Sequence, residues 1–346
     1  MDPPIEHPTP LARAITQLAD GQHLTAEACG AAFDELMAGS ATPSQIAALL
    51  VGLRVLGETD EEIAGAATAL RRAMVTLPGV ADRDDLVDTC GTGGGSVPTF
   101  NISTAAALVA AGAGVPVAKH GNRSFTSRSG SADVFEALGV AIDIAPERAV
   151  RALDHAGIMF LFAPNFHPAL RHAGPVRREL GIPTVMNLLG PLGNPAGARR
   201  QVVGVADRSK APVLARALAR LGAVHALVVH GEVGMDEVSP TGPTSVWEVR
   251  AGEVHEWTVE PEALGVGAID LKELMGGSPA ENADRVEQLL RGADDPAGRA
   301  AVLLNAAAAI YVSEGRRSFG EALALAGRAL DEGQGADRLD RLRTSA

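Results

Sequence analysis

The residues best suited to chemistry form a glycine loop followed by a polar turn. The loop, Gly91-Thr-Gly-Gly-Gly95, follows a short apolar run, and the turn, Asn101-Ile-Ser-Thr104, precedes an alanine-rich segment. Glycine lets backbone N–H groups approach a ligand closely, and a helix N-terminus adds unpaired donors and the positive end of a dipole. These residues therefore predict a phosphate-binding loop.

The charges around this loop favour an anionic ligand. No Asp or Glu occurs from Thr89 to Ala132, whereas the window contains three cations, Lys119, Arg123 and Arg128. A dinucleotide fingerprint is incomplete because its sixth position is Ser96, and no GxxxxGK[ST] sequence occurs in the chain. A glycine turn without a ligand is the alternative, but three features coincide here: the missing acids, the helix start and the cations. We predict a phosphate-binding edge with a positive local field.

Two further sites could bind charged groups. The acidic pair Asp236-Glu237 follows a predicted strand and a glycine turn. Mg²⁺ commonly takes one or two carboxylates together with substrate phosphate oxygens, although such a pair alone is more typical of a solvated turn. Arg177 and Arg178 follow Pro175, and a guanidinium suits the carboxylate of a small aromatic acid. The residues alone do not say which arginine faces a ligand.

Composition limits the possible partners. The chain has 346 residues, 46% hydrophobic and 21% charged, which is typical of one large or two modest globular domains. A net charge of −12 argues against nucleic acid or an anionic membrane as a partner. Two isolated cysteines, Cys29 and Cys90, predict reduced thiols in a cytoplasmic protein. The N-terminus lacks the pattern of a signal peptide, and no apolar run is long enough to span a bilayer.

The elements that must position these residues differ along the chain. Residues 8–75 predict four helices, with capping boxes starting at Thr42 and Thr59 and a helix stop at Gly57. We expect residues 1–78 to form a small helical domain. The segment Pro164–Pro195 contains several prolines, which break helices. We expect this segment to cross back to the helical domain, with helices from about 165–190 completing that domain.

From Asp85 onward the pattern changes to alternating strands and helices. The predicted strands are Leu86–Thr89, Val115–Ala118, Ile158–Phe162, Gln201–Val205 and Val224–Val229, followed by a hairpin of Thr244–Val249 and Glu253–Val259. This alternation predicts an α/β domain, residues 79–346, with a mainly parallel central sheet. Ligands of such sheets bind at the carboxyl ends of the strands, where Gly91 and Lys119 would lie. We expect a cleft at the hinge between the two domains.

Several motifs in order resemble one family. They read GTGG…TFNIST, AKHGNRS…SGSAD, FAPNFHPALRHAGPVRRELG, NLLGPLGNPA and GMDE. They are similar to the anthranilate phosphoribosyltransferases, which have the nucleoside phosphorylase-like, type III phosphoribosyltransferase fold. The resemblance implies a glycosyltransferase of tryptophan biosynthesis that moves a 5-phosphoribosyl group from phosphoribosyl pyrophosphate (PRPP) to the amine of anthranilate. It also implies Mg²⁺, a homodimer formed through the helical domain, and anthranilate synthase as a possible partner.

The resemblance also implies the residues of three subsites. The PRPP contacts would be Gly91, Gly94, Gly95, Thr99, Asn101, Ser103, Thr104, Lys119, Asn122, Arg123, Ser127 and Ser131. The anthranilate contacts would be Gly91, Asn122 and Arg177, and the Mg²⁺ ligands would be Ser103, Asp236 and Glu237. No residue is expected to act as a catalytic acid or base, because an aromatic amine is already a neutral nucleophile. Positioning and electrostatics would supply most of the rate.

The chain departs from the family pattern at the glycine loop. Gly95 and Ser96 stand where the family usually has Asp and Gly, and Gly193 stands where it usually has Thr. The first change removes a carboxylate from the edge that would bind pyrophosphate. We therefore expect PRPP binding to depend less on a second Mg²⁺ ion.

Two other functions share the predicted architecture. A pyrimidine nucleoside phosphorylase-like enzyme would need a Lys-Ser pair for phosphate, and the AKHGNRS and GMDE motifs argue against it. A non-catalytic nucleic-acid-binding relative would be expected to carry a basic surface, which a net charge of −12 disfavours.

Overall fold

The structure is a computed structural model that describes residues 8–80, 83–124, 128–267, 269–315 and 317–345. Ser127, one of the predicted PRPP contacts, lies outside these residues. The contacts within the chain divide it into two compact units. The first runs to Val75 and includes His167–Gly193, and the second comprises Thr76–Phe166 and the chain from Asn194.

The helices and strands are numbered in chain order. The helices are α1 (Pro10–Ala19), α2 (Ala26–Ala38), α3 (Pro43–Leu56), α4 (Asp60–Ala73), α5 (Ile102–Gly112), α6 (Ser131–Ala137), α7 (Pro146–Ala156), α8 (Ala163–Phe166), α9 (Gly174–Leu180), α10 (Val185–Leu189), α11 (Ala211–Arg220), α12 (Pro279–Leu290), α13 (Pro296–Val312), α14 (Phe319–Asp331) and α15 (Gln334–Thr344). The strands are β1 (Val87–Gly91), β2 (Val117–Gly121), β3 (Ile158–Phe162), β4 (Arg200–Gly204), β5 (His225–Gly231), β6 (Thr244–Arg250) and β7 (Glu253–Val259).

The first unit is helical, and its sequence marks each helix start. Helices α1 to α4 all begin after a threonine whose side chain accepts a backbone N–H of the first turn, namely Thr9, Thr25, Thr42 and Thr59. The capping boxes expected at the last two are present. Gly57, with φ of 82°, ends α3 where the sequence predicts a stop. Helices α9 and α10 also belong to this unit.

The second unit contains a seven-stranded sheet in the order β3-β2-β1-β4-β5-β6-β7. Strands β1 to β5 pair in parallel, and β5-β6-β7 pair antiparallel. The prediction of an α/β fold with a mainly parallel sheet is confirmed. Because the parallel strands share a direction, the ends of β1, β2, β4 and β5 meet at one edge, where the predicted glycine loop begins.

Strand β2 begins later than the sequence analysis predicts. The expected strand was Val115–Ala118, whereas the observed strand is Val117–Gly121. Pro116 has no N–H to donate to a neighbouring strand. Its carbonyl instead accepts the N–H of Val87, and the parallel register starts with Val117 beside Val87. The prediction that Lys119 follows this strand is therefore wrong, because Lys119 lies inside it.

The core of the second unit contains two nearly all-buried helices. Helix α5 is buried along its length except at Ser103, and α13 is buried from Ala297 to Val312 except at Arg299 and Tyr311. The two helices pack on each other, and their many alanines allow the close approach. Among the described residues, no helix combines the length and the apolar character needed to cross a membrane.

Candidate functional site

The acidic pair lies directly over the ends of two parallel strands. Gly91 at the end of β1 pairs with Gly204 at the end of β4. A Cβ atom on Gly204 would lie 1.7 Å from the carbonyl oxygen of Asp236, a distance that no side chain could occupy. Glycine at this position therefore lets the chain after β5 cross the strand ends and bring Asp236 and Glu237 to the sheet edge.

The glycine loop packs against the same pair. A Cβ atom on Gly95 would lie 2.9 Å from Asp236 Oδ1, and one on Gly91 would lie 3.1 Å from Asp236 Oδ2. The Thr99 hydroxyl donates to Glu237 Oε1 at 3.2 Å, and the Ser96 hydroxyl donates to the Gly234 carbonyl at 3.2 Å. Two motifs that are far apart in sequence thus form one site.

The environment of Asp236 and Glu237 disfavours two negative charges. Both residues keep some surface exposed, yet their carboxyl groups are enclosed by protein. Burial raises the pKa of Asp236, and burial followed by repulsion from Asp236 raises the pKa of Glu237 well above its usual value. The two carboxyl groups lie within hydrogen-bonding reach of each other, and the buried Glu237 Oε2 receives no hydrogen bond from any other described group. Such a pair is costly without a cation beside it.

This donor set fits magnesium. Hard oxygen ligands suit Mg²⁺, which typically takes one or two carboxylates and completes its shell with water and substrate phosphate oxygens. Within the described part of the chain, no three His, Cys, Asp or Glu side chains converge on a common point, so the acidic pair is a two-carboxylate site. Glu237 Oε2, which accepts no hydrogen bond from the other described groups, is an oxygen donor that such a cation could use.

We expect Glu237→Gln to raise the melting temperature in the absence of divalent cations. An acid whose pKa is raised in the folded state stabilises the fold below its unfolded pKa, and that contribution is lost as pH rises towards the folded pKa. The advantage of the variant should therefore grow above about pH 4, and a gain of ~1 kcal/mol would correspond to roughly 1–2 °C for a chain of this length. Scanning calorimetry across pH in EDTA measures it.

Glu232→Gln is the matched control in the same connection between β5 and β6. Hydrogen bonds from Ser245 and Arg208 lower the pKa of Glu232, so its removal should destabilise the protein at neutral pH. If Glu237→Gln had a melting temperature at or below that of the parent near pH 8, ionisation of the acidic pair would not destabilise the folded protein.

Lys119 is a buried cation beneath the loop. Its side chain is 1% exposed, and Nζ donates to the Thr89 carbonyl and, at 3.4 Å, to the Ser103 hydroxyl. Burial lowers the pKa of Lys119, while interactions with Asp88, Cys90 and Glu237, in decreasing order, oppose that shift. Lys119 thus ties β1 to the start of α5 and places positive charge between two acids.

The first turn of α5 has no side-chain cap. Asn101 makes no capping bond; its Oδ1 accepts from Asn282 Nδ2 at 2.9 Å, and its Nδ2 donates to the Ser129 carbonyl at 3.5 Å. The buried Thr104 hydroxyl has no partner among the described residues, and the turn contains no acid. The Ile102 and Thr104 N–H groups already bond to the Phe100 and Asn101 carbonyls, so the groups that could reach a phosphate here are the hydroxyls of Ser103 and Thr104, at a helix start without an acid.

The segment after β2 supplies less free positive charge than the sequence suggests. Arg123 is exposed and pairs with Asp133 at 2.9 Å and Glu136 at 2.8 Å, both on α6. Asn122 Oδ1 accepts the Arg123 N–H at 2.7 Å. Ser131 begins α6, and its hydroxyl oxygen lies 2.1 Å from where a Cβ atom on Gly121 would be.

The positive local field predicted from the sequence takes only residues 89–132 into account, and the fold brings acids beside them. Acids absent from the local window arrive from elsewhere in the fold: Asp236 and Glu237 at the loop, and Asp133 and Glu136 at Arg123. Charges that are distant in sequence become neighbours at the sheet edge, so a count along the chain does not give the field there.

Arg177 lies in the first unit, on α9, and the structure distinguishes it from its neighbour. It is half-buried, and burial lowers the pKa of its guanidinium, which forms no ion pair or hydrogen bond with any other described residue. Arg178 is exposed. A partly desolvated guanidinium without an acid beside it suits a ligand carboxylate.

Two buried polar residues in the second unit were missed by the sequence analysis. Asp88, within β1, accepts the His120 N–H at 3.1 Å, and its charge raises the pKa of Lys119. Asn305, within α13, bonds to the backbone of Val238, directly after the acidic pair. The available signal was the presence of polar residues in otherwise apolar runs, namely Asp88 and Thr89 in VDTC and Asn305 in the run Ala300–Val312.

The sequence matches two family descriptions in chain order. Residues 12–74 match "Glycosyl transferase family, helical bundle domain", and residues 83–336 match "Glycosyl transferase family, a/b domain". The anthranilate phosphoribosyltransferase of Thermomicrobium roseum is 51% identical over 332 residues, covering 95% of each chain.

Solved structures agree with these matches. The anthranilate phosphoribosyltransferase of Thermus thermophilus superposes with a TM-score of 0.90 at 44% identity, covering 96% of this chain and 98% of that one. The Saccharomyces cerevisiae enzyme in complex with PRPP and Mg superposes with a TM-score of 0.86 at 30% identity, covering 97% of each chain. The resemblance drawn from the motifs is confirmed, and this chain belongs to the anthranilate phosphoribosyltransferase family.

Proposed function

We propose that the chain transfers the 5-phosphoribosyl group of PRPP to the amine of anthranilate, giving N-(5-phosphoribosyl)anthranilate and pyrophosphate. The observation that carries this proposal is the contact of the glycine loop with the acidic pair, where Gly95 lies against Asp236. A phosphate-binding loop and a two-carboxylate cation site at one sheet edge suit a donor with a pyrophosphate group.

The reaction exchanges one bond at the sugar carbon. The anthranilate nitrogen forms a bond to C1 of the ribose, the bond from C1 to the pyrophosphate oxygen breaks with its electron pair, and the amine then loses a proton to solvent. The sugar carbon gains positive charge as the leaving group departs, so fixed charges and oriented donors supply the catalysis. No side chain is required as a strong base, because the amine is neutral at pH 7.

We assign the PRPP phosphates to the glycine loop and the start of α5. Glycine at positions 91, 94 and 95 lets a phosphate approach the backbone closely, and the first turn of α5 offers the hydroxyl groups of Ser103 and Thr104. Lys119 adds positive charge below them. The other predicted PRPP contacts stay predictions, namely Thr99, Asn101, Asn122, Arg123, Ser127 and Ser131. Arg123 would have to give up its ion pairs with Asp133 and Glu136 to bind a phosphate.

Mg²⁺ is the proposed cofactor, held by Asp236, Glu237 and Ser103. When bound, it would neutralise charge on the departing pyrophosphate. The raised pKa of both carboxyl groups and the Glu237 Oε2 atom, which accepts no hydrogen bond from the other described groups, support this assignment, because a divalent cation beside them would stabilise their ionised forms.

The acceptor contacts are proposed separately. Arg177 is the proposed partner of the anthranilate carboxylate, supported by its half-buried guanidinium without an acid beside it. Gly91 and Asn122 stay predicted anthranilate contacts. A homodimer formed through the helical domain, an anthranilate synthase partner and a cytoplasmic location likewise stay predictions.

An acceptor panel tests the proposal. The purified protein, PRPP and Mg²⁺ are incubated with anthranilate, uracil, thymine or no acceptor, and pyrophosphate release is followed. We expect release only with anthranilate. Pyrophosphate release with a pyrimidine, or phosphorolysis of thymidine or uridine by phosphate, would instead favour the nucleoside phosphorylase-like function.

Gly95→Asp is expected to steepen the magnesium dependence of turnover. Its Cβ atom would lie 2.9 Å from Asp236 Oδ1, so either the Asp236 side chain or the loop must shift, and a third carboxylate joins the acidic pair. The added negative charge should repel the pyrophosphate of the donor unless a second Mg²⁺ ion neutralises it, so the rate should rise more steeply with Mg²⁺ concentration than in the parent. Initial rates in a magnesium titration measure the effect.

Gly95→Asn is the control, because it has the same size without the charge. It should shift the loop similarly but leave the magnesium curve near that of the parent. If the rate of Gly95→Asp depended on Mg²⁺ concentration as that of the parent does, the loop would not contact the metal end of PRPP.

A further inference from the structure

Helix α13 carries a buried polar residue, Asn305, whose carboxamide forms hydrogen bonds outside the helix. Asn305 is 6% exposed and has alanine on its C-terminal side, in the run Asn305-Ala-Ala-Ala-Ala309. Its Nδ2 donates to the Val238 carbonyl at 2.9 Å and to the Ala301 carbonyl at 2.9 Å, and its Oδ1 accepts the Val238 N–H at 3.0 Å. The carboxamide therefore pairs with both backbone groups of Val238, as a neighbouring strand would.

A buried amide at this position requires these partners. Burying a carboxamide without hydrogen bonds is unfavourable, as is burying the unpaired N–H and carbonyl of a loop residue. Val238 is 0% exposed and lies between β5 and β6, outside any strand. Asn305 thus supplies the two hydrogen bonds that the Val238 N–H and carbonyl would otherwise form with a neighbouring strand.

Val238 lies next to the acidic pair in the chain, so its contact with Asn305 bears on the geometry of that pair. Val238 directly follows Glu237, so fixing its peptide groups fixes the direction in which the Glu237 side chain leaves the backbone. On the other side, the Asp236 carbonyl rests against Gly204 of β4. The acidic pair is therefore held between the sheet below it and α13 beyond it.

We propose that Asn305 is a positioning residue for the cation site, holding the backbone after Glu237 so that both carboxylates converge on the glycine loop. This rests on the proposed function, because it assumes that Asp236 and Glu237 bind a divalent cation. Residues that orient metal ligands without touching the metal typically contribute about 10- to 100-fold to metal affinity.

The test compares three variants by metal binding as well as by kinetics. Asn305→Leu keeps the approximate volume and removes both hydrogen bonds to Val238; Asn305→Ser keeps one hydroxyl and serves if the leucine variant does not fold. Tyr311→Phe is the control on the same helix, since it removes only the hydroxyl that donates to Glu248 at 3.1 Å. Mn²⁺ binding in the presence of pyrophosphate is measured by electron paramagnetic resonance, and KM is measured for PRPP and for anthranilate.

We expect Asn305→Leu to weaken Mn²⁺ binding about tenfold and to raise KM for PRPP, with KM for anthranilate unchanged. Asn305→Ser should fall between Asn305→Leu and the parent, and Tyr311→Phe should bind Mn²⁺ as the parent does. Parent-like Mn²⁺ binding by the folded Asn305 variants, or equal weakening by Tyr311→Phe, would overturn the positioning role. Absence of Mn²⁺ binding by the parent itself would instead overturn the proposed cation site, and the inference with it.

Discussion

The double substitution Asp236→Asn with Glu237→Gln is expected to reduce turnover by at least about a thousandfold while the protein still folds and binds anthranilate. Both side chains become neutral but keep their size, so the packing against Gly91 and Gly95 is retained. What is lost is the negative charge that would hold Mg²⁺ at the pyrophosphate end of the donor. Turnover at saturating Mg²⁺ and PRPP measures this loss.

Two controls separate lost chemistry from lost structure. The variant should melt no lower than the parent in EDTA, because a buried pair with raised pKa values has been removed. Anthranilate binding, measured by equilibrium dialysis, should be unchanged, and Glu232→Gln should retain turnover. If the double variant turned over at a rate close to that of the parent in saturating Mg²⁺, the acidic pair would lie outside the catalytic site.

Arg177→Ala is expected to lower kcat/KM for anthranilate by roughly ten- to a hundredfold, equivalent to about 1.5–3 kcal/mol. The loss reflects one charge-assisted pair with the substrate carboxylate, so it should appear mainly as a higher KM for anthranilate. Affinity for PRPP should stay nearly unchanged. Steady-state kinetics with each substrate varied in turn measures the effect.

Arg178→Ala is the matched control, one residue along the same helix. Arg178 is exposed, whereas Arg177 is half-buried and forms no ion pair with the described residues. The control should therefore behave as the parent. The assignment would be wrong if Arg178→Ala raised KM for anthranilate and Arg177→Ala did not.

The fold was largely predictable because local signals agree with the tertiary structure. Threonine caps mark the starts of α3 and α4, Gly57 marks a stop, and apolar runs mark the strands. Strand β2 was misplaced because its edge depends on which residues find partners in the sheet. Pro116 cannot donate a hydrogen bond, so pairing starts at Val117.

The site was only partly predictable, because its chemistry depends on tertiary neighbours. Spacing identified the glycine loop and the acidic pair as separate motifs, but nothing in the sequence places Gly95 against Asp236. Lys119 was expected just after its strand and instead lies within it, buried beneath the loop. Asn305 appears only as a polar exception in an apolar helix, and its bonds to Val238 depend on the fold.

Anthranilate fluorescence provides the most direct test of the proposed reaction. The purified protein is mixed with anthranilate, PRPP and Mg²⁺, and the fluorescence is followed alongside pyrophosphate release, with each component omitted in turn. We predict that the fluorescence falls only in the complete mixture, with pyrophosphate released in proportion to the anthranilate consumed. Unchanged fluorescence in the complete mixture, with protein shown to be folded, would contradict the proposed transfer.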